Sequence, residues 1–340
     1  MGMSVSAPRR IVIFGITGQV GQELVDRLDE SDWNVVELVG VASADSAGTT
    51  FSFGGHDLDV TAEAPPLAGA DLVFLCTRQV EALEIVRDCL KAEVACLDLT
   101  GAVSAQDAVP LAYSPADVTA TAPLLSIPSP TALAWDAVLR AVAGDGAVVR
   151  ATGTVLASAA ARGRAGVVAL SEESIALFNQ SESPDPGPAG QGVAFDVLPG
   201  ADLGRARAEL GRSLGEGVAL SVAGAEVPTF VGEAASVLIE VEASTDLASV
   251  AARLEAHPLI DVVADGPGSR GLVAVEDGEP SPVGPTMRDA AGESGVQVGR
   301  LEAEAALGEG TAFRLWLSMD PLRVVADHAL AIADARLTAS

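Results

Sequence analysis

The sequence predicts an α/β fold, in which an open and mostly parallel sheet is followed by a second region of α+β structure. Three observations predict it. Short apolar runs alternate with helical periodicity over residues 9–130, a glycine-rich turn links the first strand to the first helix, and strands outnumber helices beyond residue 147. The length of 340 residues is sufficient for two domains.

The first region alternates between strands and helices. Its opening run, residues 9–15, is short, apolar and ends in glycine, which is typical of a buried parallel strand. A sheet of this kind carries helices on both faces. Strands are predicted at residues 9–15, 34–43, 71–77 and 94–100, helices at 19–30 and 79–92, and a hairpin at 51–60 around Gly54 and Gly55.

The second region contains more strands than helices. Because few helices are available to cover both faces of its sheet, we expect an uncovered apolar face that associates with a second copy of the chain. The last predicted helix is expected to return to the first region. A strand begins at residue 147 and others are predicted at 236–244, 271–277 and 311–320, with an amphipathic helix at 166–180, a loop at 181–192, and helices at 201–216 and 321–337.

Composition limits the function classes. The formal net charge of −27 disfavours nucleic acid and anionic membranes as partners, and no apolar run is long enough to span a bilayer. The cysteines Cys76, Cys89 and Cys96 are few and odd in number, so we expect a cytoplasmic protein without a disulfide framework. The histidines are too far apart in sequence to predict a zinc site, so no metal is expected.

The glycine-rich turn is the strongest candidate for a ligand site. Gly15, Gly18 and Gly21 recur every third residue where the first strand passes into the first helix. Glycine permits close approach of a pyrophosphate, and the helix N-terminus offers N–H donors and a partial positive charge. The alternative is a tight turn retained for packing alone. The predicted dinucleotide-binding residues here are Gly15, Thr17, Gly18, Gln19, Val20 and Gly21.

The end of the second strand bears on the choice of cofactor. Ser43, Asp45 and Ser46 follow this strand and complete the predicted nucleotide site. An acidic group here accepts hydrogen bonds from a ribose 2′-hydroxyl and repels a 2′-phosphate, so Asp45 favours NAD over NADP. Asp45 follows Gly15 by about 30 residues, more than the usual ~20. A solvated loop carboxylate is the alternative interpretation.

Five segments, in order along the chain, resemble the aspartate-semialdehyde dehydrogenases, and especially the divergent homologues of that family. They are IVIFGITGQVGQELVDRL, VASADSAGTTFSFGGHDLDV, GRAGVVALSEESIALFNQ, VAFDVLP and EVPTFVGEAASVLIEV. The resemblance implies a Rossmann-type dinucleotide-binding domain at 8–130, an α+β dimerisation domain at 131–320, and a C-terminal helix at 321–340 that packs on the first domain. It also implies a reaction in which a cysteine thiolate attacks an aldehyde, hydride passes to NADP, and phosphate releases the acyl group.

The family's catalytic residues are absent from the matching positions. The family's Asn-Pro-Asn-Cys run resembles residues 127–130, so Pro130 stands in place of the nucleophile. The glutamine position falls near Leu156, the substrate-clamping arginine position is Glu226, and the histidine position is Glu233. Two acidic groups at such a site would repel an acidic, phosphorylated substrate.

One further pair of residues that is typical of the family is partly retained at the matching positions. The family's Glu-x-x-Lys pair resembles Glu209 and Arg212, and arginine in place of lysine keeps the charge but changes the geometry. Ser129 and Pro130 otherwise suit a stable helix start, with Ser129 as the N-cap and Pro130 at the first helical position.

Other groups are candidate replacements for the missing thiol. Glu233 could act as a base if burial beside Glu226 raised its pKa. Cys76 ends the third strand at the ligand-binding face of the sheet, although a small buried apolar role is the simpler interpretation. Hydroxyls near the helix start lack an adjacent histidine base and are carried by Ser126, Ser129 and Thr131.

The sequence leaves two functions open. In the first, the chain is a family member that is inactive or has a new role, a pseudoenzyme that retains NAD binding and acts by binding or regulation. It would form a homodimer or associate with an active relative. In the second, it is a nicotinamide-dependent oxidoreductase that acts on a different, less anionic substrate, because hydride transfer does not require a covalent thiol.

Overall fold

The computed structural model describes residues 7, 9–118, 122–182, 190–263, 284–307 and 311–338. Contacts divide the chain into two compact units, the first formed by residues 1–130 together with 325–340 and the second by residues 131–324. The strand predicted at 271–277 lies outside the described residues.

The first unit contains a seven-stranded sheet in the order β3-β4-β2-β1-β5-β6-β7. All neighbouring strands are parallel except the β3–β4 hairpin, which the sequence predicted. The strands are β1 (Arg9–Phe14), β2 (Val35–Val41), β3 (Thr50–Phe53), β4 (His56–Thr61), β5 (Leu72–Leu75), β6 (Ala95–Asp98) and β7 (Leu124–Ser126). The helices are α1 (Gln19–Asp29), α2 (Gln79–Lys91) and the C-terminal α8 (Pro321–Thr338).

Alternate residues of the parallel strands point into two cores. On one face, Ile11 and Ile13 pack with Leu24 of α1 and with Ala329 of α8. On the other face, Val12 packs with residues of α2. Helices therefore cover both faces of the sheet, and the return of the C-terminal helix to the first region is confirmed together with the predicted fold class.

The second unit is built on a mixed seven-stranded sheet in the order β12-β13-β14-β11-β8-β10-β9. Its strands are β8 (Val148–Ala157), β9 (Leu198–Pro199), β10 (Ala219–Glu226), β11 (Glu233–Val241), β12 (Ile260–Val262), β13 (Val296–Ala303) and β14 (Ala312–Met319). Its helices are α3 (Pro130–Ala143), α4 (Gly163–Phe178), α5 (Gly204–Leu214), α6 (Leu247–Glu255) and α7 (Met287–Ala290).

Helix α3 is central to the second unit. Every residue from Thr131 to Val142 except Arg140 is buried. A helix that is apolar on all sides requires such an interior position. Its start is consequently held in a fixed place relative to the strand ends around it.

Two expectations about exposed surfaces were wrong. Helix α4 was predicted to be amphipathic, yet Val168, Ile175 and Phe178 are exposed, because apolar residues occur on both of its faces. The outward face of the sheet was predicted to be apolar, but one row across it pairs Ser236 with Thr154 and Trp316, and both Ser236 and Thr154 are exposed. The uncovered face is thus partly polar.

None of the helices in the described ranges combines the length and apolar character that crossing a bilayer requires.

Replacing Gly21 in α1 by alanine should destabilise the fold. A Cβ at this position would lie 2.3 Å from the Gly15 carbonyl oxygen, so the backbone of the turn would have to shift. We expect Gly21→Ala to lower the free energy of unfolding by about 2 kcal/mol or more. The measurement is urea denaturation followed by circular dichroism.

Gly211→Ala in α5 is the matched control, since nothing lies within 4 Å of the place that its Cβ would occupy. It should raise stability by roughly 0.5–1 kcal/mol through helix propensity. Equal midpoints for the two variants would contradict the proposed close packing of α1 on the turn.

Candidate functional site

The glycine turn after β1 is shaped by contacts with the end of β5. Gly15 has a φ of +84°, and a Cβ there would lie 2.5 Å from the Cys76 carbonyl carbon. Gly21 is likewise required by the close approach described above. At Gly18, by contrast, a Cβ would meet the Gly15 carbonyl oxygen at 3.2 Å, and the residue is exposed. Two of the three glycines thus serve packing, and Gly18 is the one that leaves space above the turn.

Gly18 is also the N-cap residue of α1. It provides no side-chain cap, and the first turn of α1 contains no acidic residue. The backbone N–H groups of this turn and the helix dipole therefore face outward without a competing carboxylate in that turn, which favours an anion such as a pyrophosphate. Gln19 and Val20 form the first residues of this helix.

A second loop lies beside the glycine turn. After β2, residues Ala44–Ser46 form a short 3-10 turn. The Thr17 hydroxyl donates to Ser46 Oγ at 3.4 Å, so the two predicted parts of the nucleotide site are brought together. Ser43 and Asp45 are exposed on the same loop.

Two residues at this edge of the sheet were not predicted from the sequence. Thr77 and Arg78 follow Cys76 at the end of β5, which is the parallel neighbour of β1. The Thr77 hydroxyl donates to Glu81 at 2.6 Å, and Arg78, the N-cap residue of α2, also pairs with Glu81. Their position at the carboxyl end of the strand next to the turn was the available signal.

Cys76 does not have the properties of a reactive thiol. Burial, with a smaller contribution from the charge of Asp98, raises its pKa to about 12. The thiol is therefore protonated at neutral pH, which suits a packing role and opposes a nucleophilic one. Cys89 and Cys96 are buried in the core, as predicted.

Helix α3 of the second unit begins at Pro130, the last residue that the division assigns to the first unit, and the family resemblance places a nucleophilic cysteine at this position. The proline ring has no group that can attack a carbonyl carbon. The following residue, Thr131, is buried, and its hydroxyl donates to Glu233 Oε2 at 2.9 Å. This hydrogen bond occupies the only nucleophilic hydroxyl in the first two positions of the helix.

Glu233 is the most perturbed acidic group in the described part of the second unit. It is 8% exposed, and its Oε1 atom is buried without a hydrogen-bond partner. Burial raises its pKa to about 7, although the hydrogen bond from Thr131 acts in the opposite direction. Burial is thus the cause of the shift, as the sequence analysis anticipated, and the charge of Glu226 does not contribute to it.

Glu226 is neutralised by a neighbour. It forms an ion pair with Arg162, which also donates to the Gln191 carbonyl oxygen at 2.5 Å. The expectation that Glu226 and Glu233 together repel anions is therefore too strong, since one carboxylate is paired with a cation and the other is partly protonated near pH 7.

Strand register brings these positions to one end of the sheet. Ala157, at the end of β8, pairs with Glu226 on one side and with Glu233 on the other. Leu156 is the preceding residue of β8 and brings an apolar side chain where the resemblance places an amide. None of the family's four catalytic residue types, which are cysteine, glutamine, arginine and histidine, is thus present at the matching positions. These positions hold Pro130, Leu156, Glu226 and Glu233.

Glu209 of the predicted Glu209–Arg212 pair has an arginine partner that precedes it in α5. Glu209 is buried, and Arg205 donates to its Oε1 at 2.7 Å, one helical turn earlier in α5. Arg205 was not anticipated. Elsewhere in the described ranges, no three His, Cys, Asp or Glu side chains converge in a way that would hold a metal ion.

Comparison with known proteins agrees with this architecture. Residues 10–122 match the model of the semialdehyde dehydrogenase NAD binding domain, which defines the class of the first unit. Together with relatives that cover nearly the whole chain, this match supports membership of the aspartate-semialdehyde dehydrogenase family. The resemblance seen in the sequence is thereby confirmed.

Individual relatives extend over nearly the whole chain. It is 28% identical to a USG-1 protein homolog of Pseudomonas aeruginosa, with 94% of each chain covered. It is 24% identical to the aspartate-semialdehyde dehydrogenase of Rickettsia bellii, over 92% of this chain and 93% of the relative. A solved structure described as a probable aspartate-semialdehyde dehydrogenase from Pseudomonas aeruginosa has a TM-score of 0.83 at 26% identity, over 96% of this chain and 98% of that one.

Replacing Glu233 by glutamine should change how stability depends on pH. The pKa of Glu233 is raised from 4.5 to about 7 on folding, so between these values the folded protein holds a proton that the unfolded chain has released. The free energy of unfolding of the wild type must therefore fall as pH rises through this window. Glu233→Gln has no titrating carboxyl group at this position. Its free energy of unfolding relative to wild type should therefore rise by roughly 3 kcal/mol between pH 4.5 and pH 7.5.

The measurement is urea denaturation at half-unit pH steps. Glu255→Gln, at the exposed end of α6, removes the same charge from a solvated site and is the control. Parallel pH profiles for wild type and Glu233→Gln would show that the carboxyl group titrates normally.

Proposed function

We propose that this chain is a nucleotide-binding member of the aspartate-semialdehyde dehydrogenase family that lacks the family's acyl-transfer chemistry and acts by binding or regulation. The observation that carries the proposal is Pro130 at the start of α3. Covalent catalysis on an aldehyde needs a thiolate at this position, and proline has no nucleophilic atom in its side chain.

The other substituted positions support the same conclusion. Arg162 is engaged by Glu226, and so no cation replaces the substrate clamp at this position. Glu233 is largely uncharged below pH 7 and donates or accepts one proton at most. Recognition of a substrate carboxylate and phosphate requires fixed cations, which these residues do not supply.

The first unit fits a dinucleotide. The uncapped start of α1, the exposed Gly18 and the adjacent Thr17–Ser46 contact would hold a pyrophosphate and the neighbouring ribose. Asp45, exposed on the same loop, favours NAD over NADP. When bound, NAD supplies hydride-transfer chemistry at its nicotinamide ring.

A homodimer formed through the second unit is part of the proposal, in a cytoplasmic location. It is supported by the partly apolar sheet face, where Trp316 is only half-buried, and by the exposed apolar residues of α4. Exposed apolar surface of this kind is typical of an association interface. Association with an active member of the family through the same unit is the alternative.

Glu233 favours a second candidate function, an NAD(P)-dependent oxidoreductase that acts on a less anionic substrate. A carboxyl group whose pKa is about 7 exchanges a proton readily at neutral pH, and its unpartnered Oε1 is available to accept one. A hydride transfer with Glu233 as the acid or base would need no thiol.

Purified wild-type protein should not oxidise aspartate semialdehyde in the presence of phosphate and NAD or NADP. The expected rate of nucleotide reduction equals that of a control without enzyme, because Pro130 cannot form the acyl intermediate. Pro130→Cys should also be inactive, since the cation and the imidazole are still absent. Phosphate-dependent turnover by the wild type that is lost in Glu233→Gln would overturn the proposed lack of acyl-transfer chemistry.

Calorimetry should detect binding of NAD at least tenfold tighter than that of NADP. The expected reason is that Asp45 accepts hydrogen bonds from a 2′-hydroxyl and repels a 2′-phosphate. Asp45→Arg should reverse the preference, whereas Asp59→Arg, an equal charge change on the exposed face of the hairpin, should leave it unchanged. Gly18→Val should abolish binding of both nucleotides. Tighter binding of NADP by the wild type would count against the assigned role of Asp45.

A further inference from the structure

We propose that the second unit contains a binding site for a monocarboxylate with an aliphatic chain, in the cavity between helix α6 and strand β13. The inference goes beyond the proposed function, because none of the residues that carry it belongs to the nucleotide site or to the former catalytic positions. It is carried by three features, namely the apolar cavity itself, a bulge in β13 and a single arginine in the cavity lining.

The cavity has the size and the lining of a small-molecule site. Its volume of about 430 Å³ lies within the usual range of such sites, about 300–1,000 Å³. Leu254 and Val298 are almost completely buried in its lining, whereas Leu247 and Val262 are 41% and 39% exposed. The cavity is therefore closed at one end and open at the other, and its open end presents large apolar side chains that an apolar ligand would cover.

Small residues on α6 leave this space open. Leu247, Ala251 and Leu254 follow the i, i+4, i+7 spacing that places residues on one face of a helix. The middle position of this face is alanine, and the neighbouring lining residue, Ala248, is alanine as well. Because an alanine side chain ends at Cβ, the helix leaves a space between its two lining leucines.

A bulge in β13 brings Arg300 to the cavity. Between Gly299 and Glu302 the register with β14 shifts, so that three steps along β13 oppose two steps along β14. Arg300 lies within this stretch and has a left-handed φ of +54°, which is uncommon for residues other than glycine. A regular strand presents alternate residues to one face, yet the consecutive residues 298–301 all line the cavity. Bulges change the direction of side chains in this way and are frequent beside functional sites.

Arg300 determines the charged group of the ligand. Among the described residues that line the cavity, it is the only charged one, and a guanidinium matches the two oxygens of a carboxylate. A guanidinium has five N–H donors, so Arg300 can bind a carboxylate while it keeps contacts with the protein. One cation suits a single negative charge, which favours a carboxylate over a phosphate dianion. In a chain with a net charge of −27, binding of an anion depends on such a local cation.

Calorimetry with octanoate, in the absence of nucleotide, tests the site. Wild-type protein should bind octanoate saturably and should bind octanol, which has the same chain without the charge, more weakly. Ala251→Phe places a ring in the cavity and should weaken octanoate binding about tenfold or more. Ala252→Phe is the matched control on the same helix, because Ala252 is exposed and does not line the cavity. It should leave the affinity within about twofold of wild type.

Arg300→Gln tests the assigned role of the charge. It should weaken octanoate binding about fivefold and leave octanol binding unchanged, a difference that general disruption of the cavity would not produce. Arg288→Gln, exposed on α7, removes the same charge and should change neither affinity. Circular dichroism verifies that each variant is folded.

The outcomes are independent of the proposed function, since neither nucleotide nor aldehyde is present. Absence of saturable octanoate binding to the wild type at millimolar concentration would overturn the proposal. Equal weakening by Ala251→Phe and Ala252→Phe would also overturn it, because the ligand would then lie outside the cavity. Octanoate binding that Ala251→Phe weakens and Arg300→Gln leaves unchanged would overturn the assignment of a carboxylate.

Discussion

The second unit depends on a single buried carboxyl group that receives a hydrogen bond at the start of its central helix. Thr131 donates to Glu233, and the two residues join the beginning of α3 to the beginning of β11. Because the other carboxyl oxygen has no partner among the described residues, the group is held in a nearly water-free position. Such a position favours the protonated acid. The same contact therefore fixes the helix start and determines the electrostatic character of the sheet end around it.

The glycine turn and the start of α3 differ in what their residues indicate about function. Gly15 and Gly21 would be required in this turn whether or not a nucleotide binds, since a side chain at either would collide with backbone atoms. Their presence is thus explained by packing, and Gly18 is the position that bears on the ligand. At the start of α3, by contrast, proline is fully compatible with the fold, and so the helix is preserved although the thiol is absent.

The parts of the structure that depend on local pattern could be predicted from the sequence. The apolar run at β1, the helical spacing in α1 and the glycines of the hairpin each dictate structure through near neighbours. Partners distant in sequence could not be predicted. Arg162 and Glu226 are 64 residues apart, and Thr131 and Glu233 are 102 apart. The pKa of Glu233 follows from burial by strands whose order no local pattern encodes. The exposure of α4 depends on which of its two apolar faces packs against Ala159 and the segment 193–198.

The position of α8 in the core of the first unit has a consequence for how the chain acquires its structure. Ala329 and its neighbours pack against Ile11 and Leu24, more than 300 residues earlier, so this core joins the two extremes of the described chain. During synthesis the parallel sheet emerges first, and one of its faces stays partly uncovered until α8 (Pro321–Thr338) has also been synthesised. Contacts of such long range slow folding and prolong the exposure of apolar surface. The first unit, although its sheet is encoded first, therefore cannot be completed before the whole second unit has been synthesised.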